Sequence, residues 1–193
     1  MQPIILASAS PRRTELLNQL GLDFQVIPSE VSETIPNQSS FPNDLVTELA
    51  WRKASDVASK IERGLVIGAD TLVVLGETIF GKPSDPDDAV KMLSMLNGKT
   101  HSVYTGIAMI QVPSGQAEVG YSETKVKFRT ASLEEIQSYV ATGEPLDKAG
   151  AYGIQGKGGA LVEAIEGCYF NVVGLPLSKL TDMLRKFQIS IWQ

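Results

Sequence analysis

Two long segments of alternating apolar and polar residues, Val103–Val112 and Glu118–Phe128, constrain the fold of this chain more than any other feature. They are joined by the short, turn-forming stretch Pro113-Ser114-Gly115. Alternation with a period of two is typical of β-strands that bury one face. A short connection between two such strands makes them antiparallel neighbours. Any fold of the chain must therefore contain a long antiparallel strand pair.

The sequence before this pair alternates between predicted strands and predicted helices. Ile4–Ala7, Phe24–Ile27 and Leu65–Gly68 are short apolar runs separated by helical patterns. This order predicts an α/β fold with a mixed, twisted sheet flanked by helices, in two lobes with a central cleft. The sequence contains no repeat, low-complexity stretch or linker. Residues 1–193 are therefore predicted to form a single domain.

Local signals predict where several elements begin and end. Three helices are predicted to begin at capping residues: Ser10, Asp85 and Ser132. The strand that begins at Leu65 is predicted to end at Ala69-Asp70-Thr71, with a separate hairpin after it. Leu161–Ile165 and Tyr169–Val173 are also predicted to be strands, because β-branched and aromatic residues favour extended structure.

Composition excludes several classes of function. The net charge is -5 and the pI is about 5.0, whereas a nucleic-acid surface is usually basic, so no nucleic-acid partner is expected. One cysteine, Cys168, and one histidine, His101, allow neither an internal disulfide nor a His/Cys zinc cluster. Any metal would be held by oxygen atoms, which favours Mg²⁺ or Mn²⁺. With no signal peptide and no membrane-length apolar run, we expect a cytoplasmic protein with no membrane partner.

Two arginines stand in an unusual place in the segment Ser8-Ala9-Ser10-Pro11-Arg12-Arg13. The segment leads from a strand into the first turn of a helix, where backbone N–H groups and the dipole favour an anion. Each cation there opposes the dipole by about 0.3–1 kcal/mol. The arrangement becomes favourable with a bound polyphosphate, which arginine can grip through two hydrogen bonds. A solvated arginine pair, or a salt bridge to a nearby acid, would explain the same residues.

Asp70 and Lys53 each have a functional and a structural interpretation. Asp70 is predicted to follow a buried strand, and ligands collect beyond the carboxyl ends of strands in open α/β sheets. A carboxylate there can bind Mg²⁺ or accept a proton from water, but it can also cap a turn. Lys53 falls within the apolar stripe of a helix. Its ammonium either snorkels to solvent or points toward phosphate.

Other polar residues are consistent with a phosphate or nucleotide ligand. Lys82 lies between a glycine and a proline, and lysine is a suitable point charge for phosphate. Gln155 lies in a glycine-rich segment, where its amide could contact a base edge or simply belong to a flexible loop. Glu30 and Glu33 could join Asp70 as metal ligands or remain solvated acids. Three further residues could likewise either take part in the site or be solvated surface residues: Glu144, Asp147 and Lys148.

Taken together, these motifs resemble the Maf family of nucleotide pyrophosphatases over essentially the whole chain. The resemblance rests on the following segments: Ala-Ser-Ala-Ser-Pro-Arg-Arg, Ile-Gly-Ala-Asp-Thr, Gly-Lys-Pro, Val-Tyr-Thr-Gly, Glu-Pro-Leu-Asp-Lys-Ala-Gly-Ala-Tyr-Gly-Ile-Gln-Gly and Tyr-Phe-Asn-Val-Val-Gly-Leu-Pro. It implies a fold of the Maf/inosine-triphosphatase type. It also implies a hydrolase that cleaves nucleoside triphosphates, dTTP and UTP in one branch, between the α and β phosphates with a divalent metal. A homodimer is compatible with the resemblance.

The same resemblance implies roles for individual residues. Asp70 matches the proton acceptor, and Glu33 and Asp70 are the expected metal ligands. Base selection is expected from three residues: Arg12, Thr71 and Gln155. The remaining substrate-binding residues are expected to be Ser8, Arg13, Lys53 and Lys82, with Glu33 beside them.

Two alternatives stay open from the sequence. The resemblance also carries an association with septum formation and cell division, so the chain could bind nucleotide without turnover and act as a regulator. A related branch performs the same chemistry on 7-methyl-GTP. Gln155 with Thr71 favours the pyrimidine branch, and a positioned base at Asp70 favours an enzyme over a regulator.

Overall fold

The computed structural model of the chain describes residues 2–32 and 41–192. The strands are β1 (Ile4–Leu6), β2 (Phe24–Val26), β3 (Gly64–Leu75), β4 (Thr78–Phe80), β5 (Thr100–Val112), β6 (Ala117–Phe128) and β7 (Val162–Glu166). The helices are α1 (Pro11–Gln19), α2 (Pro42–Ala58), α3 (Pro86–Leu96), α4 (Leu133–Val140), α5 (Tyr169–Val173) and α6 (Leu177–Lys186). None of the helices in these residues is both long and apolar enough to cross a membrane.

In the described residues the strands form one mixed sheet in the order β2-β1-β3-β5-β6-β7, with β4 paired to β3. β1 pairs in parallel with both β2 and β3, whereas β4 runs antiparallel to β3 and β7 antiparallel to β6. The turn between β5 and β6 is closed by a hydrogen bond of 2.8 Å from the Gln111 N–H to the Gln116 carbonyl. The predicted α/β class and the predicted long strand pair are confirmed.

The chain divides into two compact units, in agreement with the predicted two lobes; the cleft and the single domain over 1–193 stay predictions. The first unit comprises Met1–Asp70, Thr105–Ser122 and Gly174–Gln193. Its sheet packs apolar side chains against α2, chiefly Val66, Ala108 and Ile110 against Ala50, Ala54 and Val57. The second unit comprises Thr71–Tyr104 and Glu123–Val173. Its core joins α3 and α4 to the sheet through residues such as Leu93, Ile136, Val73 and Phe128.

β3 is longer than predicted. A single strand of 12 residues replaces the predicted short strand and the first arm of a hairpin. Asp70 therefore lies inside a strand, and its predicted position beyond the carboxyl end of a strand was wrong. The strand continues because its residues are almost all buried, and because the charge of Asp70 is paired with Lys53.

The segment Tyr169–Val173 is a short helix, so its prediction as a strand was wrong. Asn171 Nδ2 donates hydrogen bonds to the Val103 carbonyl at 2.9 Å and to Thr124 Oγ1 at 3.0 Å. The Thr124 hydroxyl also exchanges hydrogen bonds with the N–H and the carbonyl of Cys168. These contacts to distant strands fix the segment, and tertiary contacts of this kind override strand propensity.

His101 lies in the core of the second unit and is only 2% exposed. Its Nε2 is 2.8 Å from the Tyr152 hydroxyl, and its ring packs edge-on against Phe128 and Tyr152. Among the described residues, its Nδ1 has no hydrogen-bond partner. Burial lowers the pKa of His101 from 6.5 to about 4, because the charged ring would lose its hydration. The ring is therefore neutral in the native protein at neutral pH.

We expect the free energy of unfolding to fall as the pH drops from about 6.5 to about 4. In this range the unfolded chain binds a proton on His101 and the native protein does not. The loss is at most about 3 kcal/mol, at about 1.36 kcal/mol per pKa unit, and it levels off at lower pH. Denaturant unfolding of the wild-type protein and of His101→Phe between about pH 7 and pH 5 isolates this contribution, since carboxylates titrate mainly below that range. Equal pH dependence in the two proteins would contradict it.

Candidate active site

A glycine in β3 lets α2 approach the sheet closely. A Cβ on Gly68 would lie 2.7 Å from the Ala54 nitrogen and would also collide with the Ala50 carbonyl. Only glycine fits here, since backbone meets backbone. Side chains alternate along a strand, so Asp70 faces the same side as Gly68, toward α2. Lys53 lies on the turn of α2 between Ala50 and Ala54 and is thereby brought to Asp70.

Lys53 and Asp70 form a buried ion pair. Lys53 Nζ donates to Asp70 Oδ1 at 2.6 Å, and each side chain is only 9% exposed. Lys53 therefore does not snorkel to solvent, and Asp70 does not cap a turn. Two charges are kept at low exposure only when they compensate each other, and such pairs are often retained at functional sites. The pair fixes the direction in which the Asp70 carboxylate points.

Arg13 is the second buried cation of the first unit. It lies in the first turn of α1, which begins at Pro11 as predicted, although the Ser10 side chain makes no capping hydrogen bond. Arg13 Nη1 donates to Ser8 Oγ at 3.0 Å, and Nε donates to the Gly174 carbonyl at 2.9 Å. Ser8 and Arg13 are both buried, whereas Arg12 is half-buried. Arg13 is therefore anchored by the fold and is not one of a solvated arginine pair.

The register of β1 against β3 brings these two groups to one part of the sheet. Leu6 pairs with Ile67, and the Ala7 N–H donates to the Ile67 carbonyl at 2.8 Å. Ser8 comes two residues after the end of β1, and Asp70 comes three residues after Ile67 in β3. The first unit thus gathers four buried polar residues that were predicted from sequence: Ser8, Arg13, Lys53 and Asp70.

Two more predicted residues, Thr71 and Lys82, belong to the second unit. β4 pairs with β3 so that Phe80 lies opposite Val73. Lys82 comes two residues after the end of β4, and Thr71 lies two residues before Val73 in β3. Lys82 is exposed and Thr71 is half-buried. The second unit therefore contains an exposed cation just after β4 and a half-buried hydroxyl in β3.

The glycine-rich segment predicted around Gln155 is ordered by short 3₁₀ turns, at Glu144–Asp147, Ala149–Ala151 and Lys157–Leu161. The Gly150 N–H donates to the Gly81 carbonyl at 3.0 Å, which joins this segment to the residue before Lys82. The Gln155 side chain is exposed. The segment is therefore a defined part of the second unit and presents Gln155 on its surface.

The acidic residues whose role the sequence left open fall into three groups. Glu33 lies outside the described residues. Glu30 accepts a hydrogen bond of 3.0 Å from Lys60 and is exposed, as a solvated surface acid would be. Lys148 Nζ donates to Asp147 Oδ1 at 2.6 Å, and the Glu144 carboxylate is hydrogen-bonded within its own segment.

The described residues contain no group of three or more His, Cys, Asp or Glu side chains that could hold a metal ion. Asp70 contributes one buried carboxylate. Mg²⁺ commonly keeps several waters and is bound by one or two carboxylates together with the phosphates of a substrate. Asp70 supplies one such carboxylate, and its Oδ1 also accepts the hydrogen bond from Lys53.

Sequence reasoning missed two groups that shape this site. The Gly174 carbonyl holds Arg13 across 161 positions of sequence, and no local signal indicates it. Gly68 did carry a signal, because a glycine inside a strand often marks a close backbone approach. That signal indicates a close neighbour at Gly68, but it does not identify α2 as the neighbour or pair Lys53 with Asp70.

Several known proteins are similar to this chain over most or all of its length. The family described as Maf-like protein matches residues 3–187. A dTTP/UTP pyrophosphatase from Desulforamulus reducens is 53% identical over 99% of this chain and 100% of its own. One from Acetivibrio thermocellus is 52% identical over 99% of this chain and 98% of its own. A solved structure, the Ham1 protein of Staphylococcus aureus, matches with a TM-score of 0.45 and 19% identity, covering 66% of this chain and 72% of that chain. Because the family match spans nearly the whole sequence, the chain belongs to the Maf-like protein family.

Proposed function

We propose that this protein hydrolyses dTTP and UTP to the nucleoside monophosphate and pyrophosphate. The observation that carries the proposal is identity of 53% and 52%, over almost the full length, to relatives named dTTP/UTP pyrophosphatase. The buried Lys53–Asp70 pair and the anchored Arg13 support it, because a protein that only bound nucleotide would need no positioned carboxylate. We further propose that it acts in the cytoplasm, where its substrates are made and used.

Three cations are assigned to the phosphates: Arg13, Lys53 and Lys82. Arg13 and Lys53 are held by the fold, so little reorganisation is needed when charge develops on the leaving group. Lys82 is exposed, and its flexible side chain can change conformation to contact the terminal phosphates when they bind. Ser8 supports this set, because its hydroxyl oxygen orients the Arg13 guanidinium.

Asp70 is assigned to the attacking water. The water oxygen forms a bond to the α-phosphorus, and the bond from that phosphorus to the oxygen bridging the β phosphate breaks. Pyrophosphate leaves with the bonding electron pair, and Asp70 accepts the proton that the water releases. The hydrogen bond from Lys53 keeps the carboxylate in one orientation throughout.

A divalent cation, Mg²⁺ or Mn²⁺, is proposed to accompany the substrate. Asp70 would hold it together with Glu33, which is assigned from sequence alone. When bound, the cation would neutralise phosphate charge and polarise the phosphoryl oxygens.

Base selection is assigned to Arg12, Thr71 and Gln155. Their donors and acceptors would pair with the edge of a pyrimidine. A base that left these groups unpaired would be penalised, because a polar group loses its hydration without a replacement hydrogen bond.

A panel of nucleotides tests the proposed function. We expect kcat/KM for dTTP and UTP to exceed that for 7-methyl-GTP by about 10²-fold or more, since polar readout rejects a wrongly shaped base. CTP and modified pyrimidine triphosphates complete the panel. Monophosphate and pyrophosphate should appear in equal amounts in the presence of Mg²⁺ or Mn²⁺.

Three results would contradict the proposal. Release of inorganic phosphate and a nucleoside diphosphate would mean cleavage at a different bond. A preference for 7-methyl-GTP would assign the protein to the other branch. Tight binding of dTTP without turnover would favour a regulator of septum formation over an enzyme.

A further inference from the structure

The carboxylate of Glu144 is hydrogen-bonded to the segment that contains Gln155. Its Oε1 accepts hydrogen bonds from the Tyr139 hydroxyl at 2.9 Å and from the Gly158 N–H at 3.1 Å. Its Oε2 accepts one from the Lys157 N–H at 2.9 Å. Both oxygens are thus used inside the protein, which argues against a direct role of Glu144 in the reaction.

The surrounding glycines make room for this carboxylate. A Cβ on Gly156 would lie 2.5 Å from Glu144 Oε1 and 2.6 Å from its Cδ. A Cβ on Gly158 would collide with the Tyr139 hydroxyl, and it would lie 2.9 Å from the Gly153 nitrogen. Real side chains do not approach so closely. The segment is therefore wrapped around Glu144 and Tyr139, and it depends on glycine to do so.

The same network holds the chain on both sides of Gln155. Before it, the Gly153 N–H donates to the Tyr139 hydroxyl at 3.2 Å. After it, the N–H groups of Lys157 and Gly158 donate to Glu144. Gln155, with its exposed side chain, lies between these two attachments.

The charge state of the network suits this arrangement. Burial alone would raise the pKa of Glu144, but the N–H groups of Gly158 and Lys157 and the Tyr139 hydroxyl outweigh it and hold that pKa below its usual value. Burial raises the pKa of Tyr139. At neutral pH the carboxylate is therefore an acceptor and the phenol a donor, as the hydrogen bonds require.

We propose that Glu144 is a positioning residue that fixes Gln155 in the conformation that reads the base, and so sets the preference for pyrimidine triphosphates. The inference rests on the proposed function, since it takes the base-reading role of Gln155 from there. Glu144 belongs to the second unit and the Lys53–Asp70 pair to the first. Loss of Glu144 should therefore change base selection, seen in KM, more than the rate of bond cleavage, seen in kcat.

A double-mutant cycle of Glu144→Gln and Gln155→Ala tests this role. Glu144→Gln keeps the shape but turns one acceptor oxygen into a donor facing the Lys157 N–H. We expect the ratio of kcat/KM for dTTP to that for GTP to fall by about 10- to 100-fold in Glu144→Gln, mostly through KM, because misplacement of about 1 Å is costly. In the Gln155→Ala background the same change should alter the ratio by less than about threefold, because its effect passes through Gln155.

Two controls separate positioning from general damage. Glu163→Gln removes an exposed carboxylate of β7 that pairs with Lys127, and should leave the ratio unchanged. Tyr139→Phe removes the link to the Gly153 N–H and should shift the ratio in the same direction as Glu144→Gln. Amide hydrogen exchange at Lys157 and Gly158 should be faster in Glu144→Gln, whether or not the enzyme turns over.

The outcomes distinguish this inference from the proposed function. Faster exchange with an unchanged selectivity ratio, or effects of Glu144→Gln and Gln155→Ala that multiply, would overturn the positioning role. If the wild-type protein releases no pyrophosphate, the proposed function fails. The same cycle is then measured as binding of non-hydrolysable UTP and GTP analogues bridged by an α,β-imido group, and equal binding of the two by the wild-type protein would overturn the inference as well.

Discussion

Replacing Asp70 with asparagine is expected to lower pyrophosphate release from dTTP by about 10²–10⁴-fold, the usual contribution of a positioned general base. The amide has the shape of the carboxylate but accepts a proton far less readily. It still offers an oxygen to Lys53 Nζ, which donates to Asp70 Oδ1 at 2.6 Å in the native protein. The fold should therefore persist, with a lower free energy of unfolding. Turnover and circular dichroism on the same sample measure both effects.

The matched control is Asp182→Asn, which removes an exposed carboxylate from α6 of the same unit. Its turnover should equal that of the wild-type protein. Pyrophosphate release by Asp70→Asn near the parent rate would remove Asp70 from the mechanism. Recovery of the rate at high Mg²⁺ would instead assign Asp70 to metal binding rather than to proton transfer.

The sequence predicts an element well when the interactions that determine that element lie within a few residues of each other. The starts of α3 and α4 were predicted correctly because capping acts within one turn, whereas α1 begins at Pro11 as predicted although Ser10 makes no capping hydrogen bond. Asp85 accepts a hydrogen bond from the Asp88 N–H at 2.7 Å, and Ser132 and Glu135 form the expected capping box. The long pair β5 and β6 was also predicted, since alternation over many residues is a strong signal.

The errors arose where contacts between residues far apart in the sequence determine the local structure. α5 is a helix because Asn171 bonds to strands 47 and 68 positions away. β3 continues through Asp70 because Lys53, 17 positions away, compensates its charge. Each residue of that pair was a candidate by itself, but no local pattern joined them. The partners of Glu144 were likewise unpredictable, since they depend on how glycines fold the backbone around it.

The residues assigned to base selection show that a sequence can predict a position without establishing its role. Arg12, Thr71 and Gln155 were assigned by resemblance, and their roles stay predictions. Gln155 lies where a base-reading residue could act, on an exposed part of an ordered segment. An exposed glutamine has no physical signature of its function, so only substrate selectivity can test the assignment.

Removing Lys53 should cost more stability than any other single substitution considered. Lys53→Met preserves the apolar stem within α2 but leaves the Asp70 side chain, which is 9% exposed, without its ion-pair partner. Breaking a buried pair in this way typically lowers the free energy of unfolding by about 3–5 kcal/mol. Denaturant unfolding at neutral pH measures the loss. Pyrophosphate release should fall as well, because a phosphate-binding cation is removed.

The double variant Lys53→Met with Asp70→Asn separates the pair from the packing around it. With neither charge left in the interior, much of the lost stability should return, although activity should not. Lys60→Met, which breaks exposed pairs just beyond the same helix, should leave stability close to that of the wild-type protein. If Lys53→Met were as stable as the wild-type protein, another cation would have to compensate Asp70. If the double variant recovers stability but not activity, the charges of Lys53 and Asp70 serve the reaction. The fold would then tolerate these two charges only as a pair.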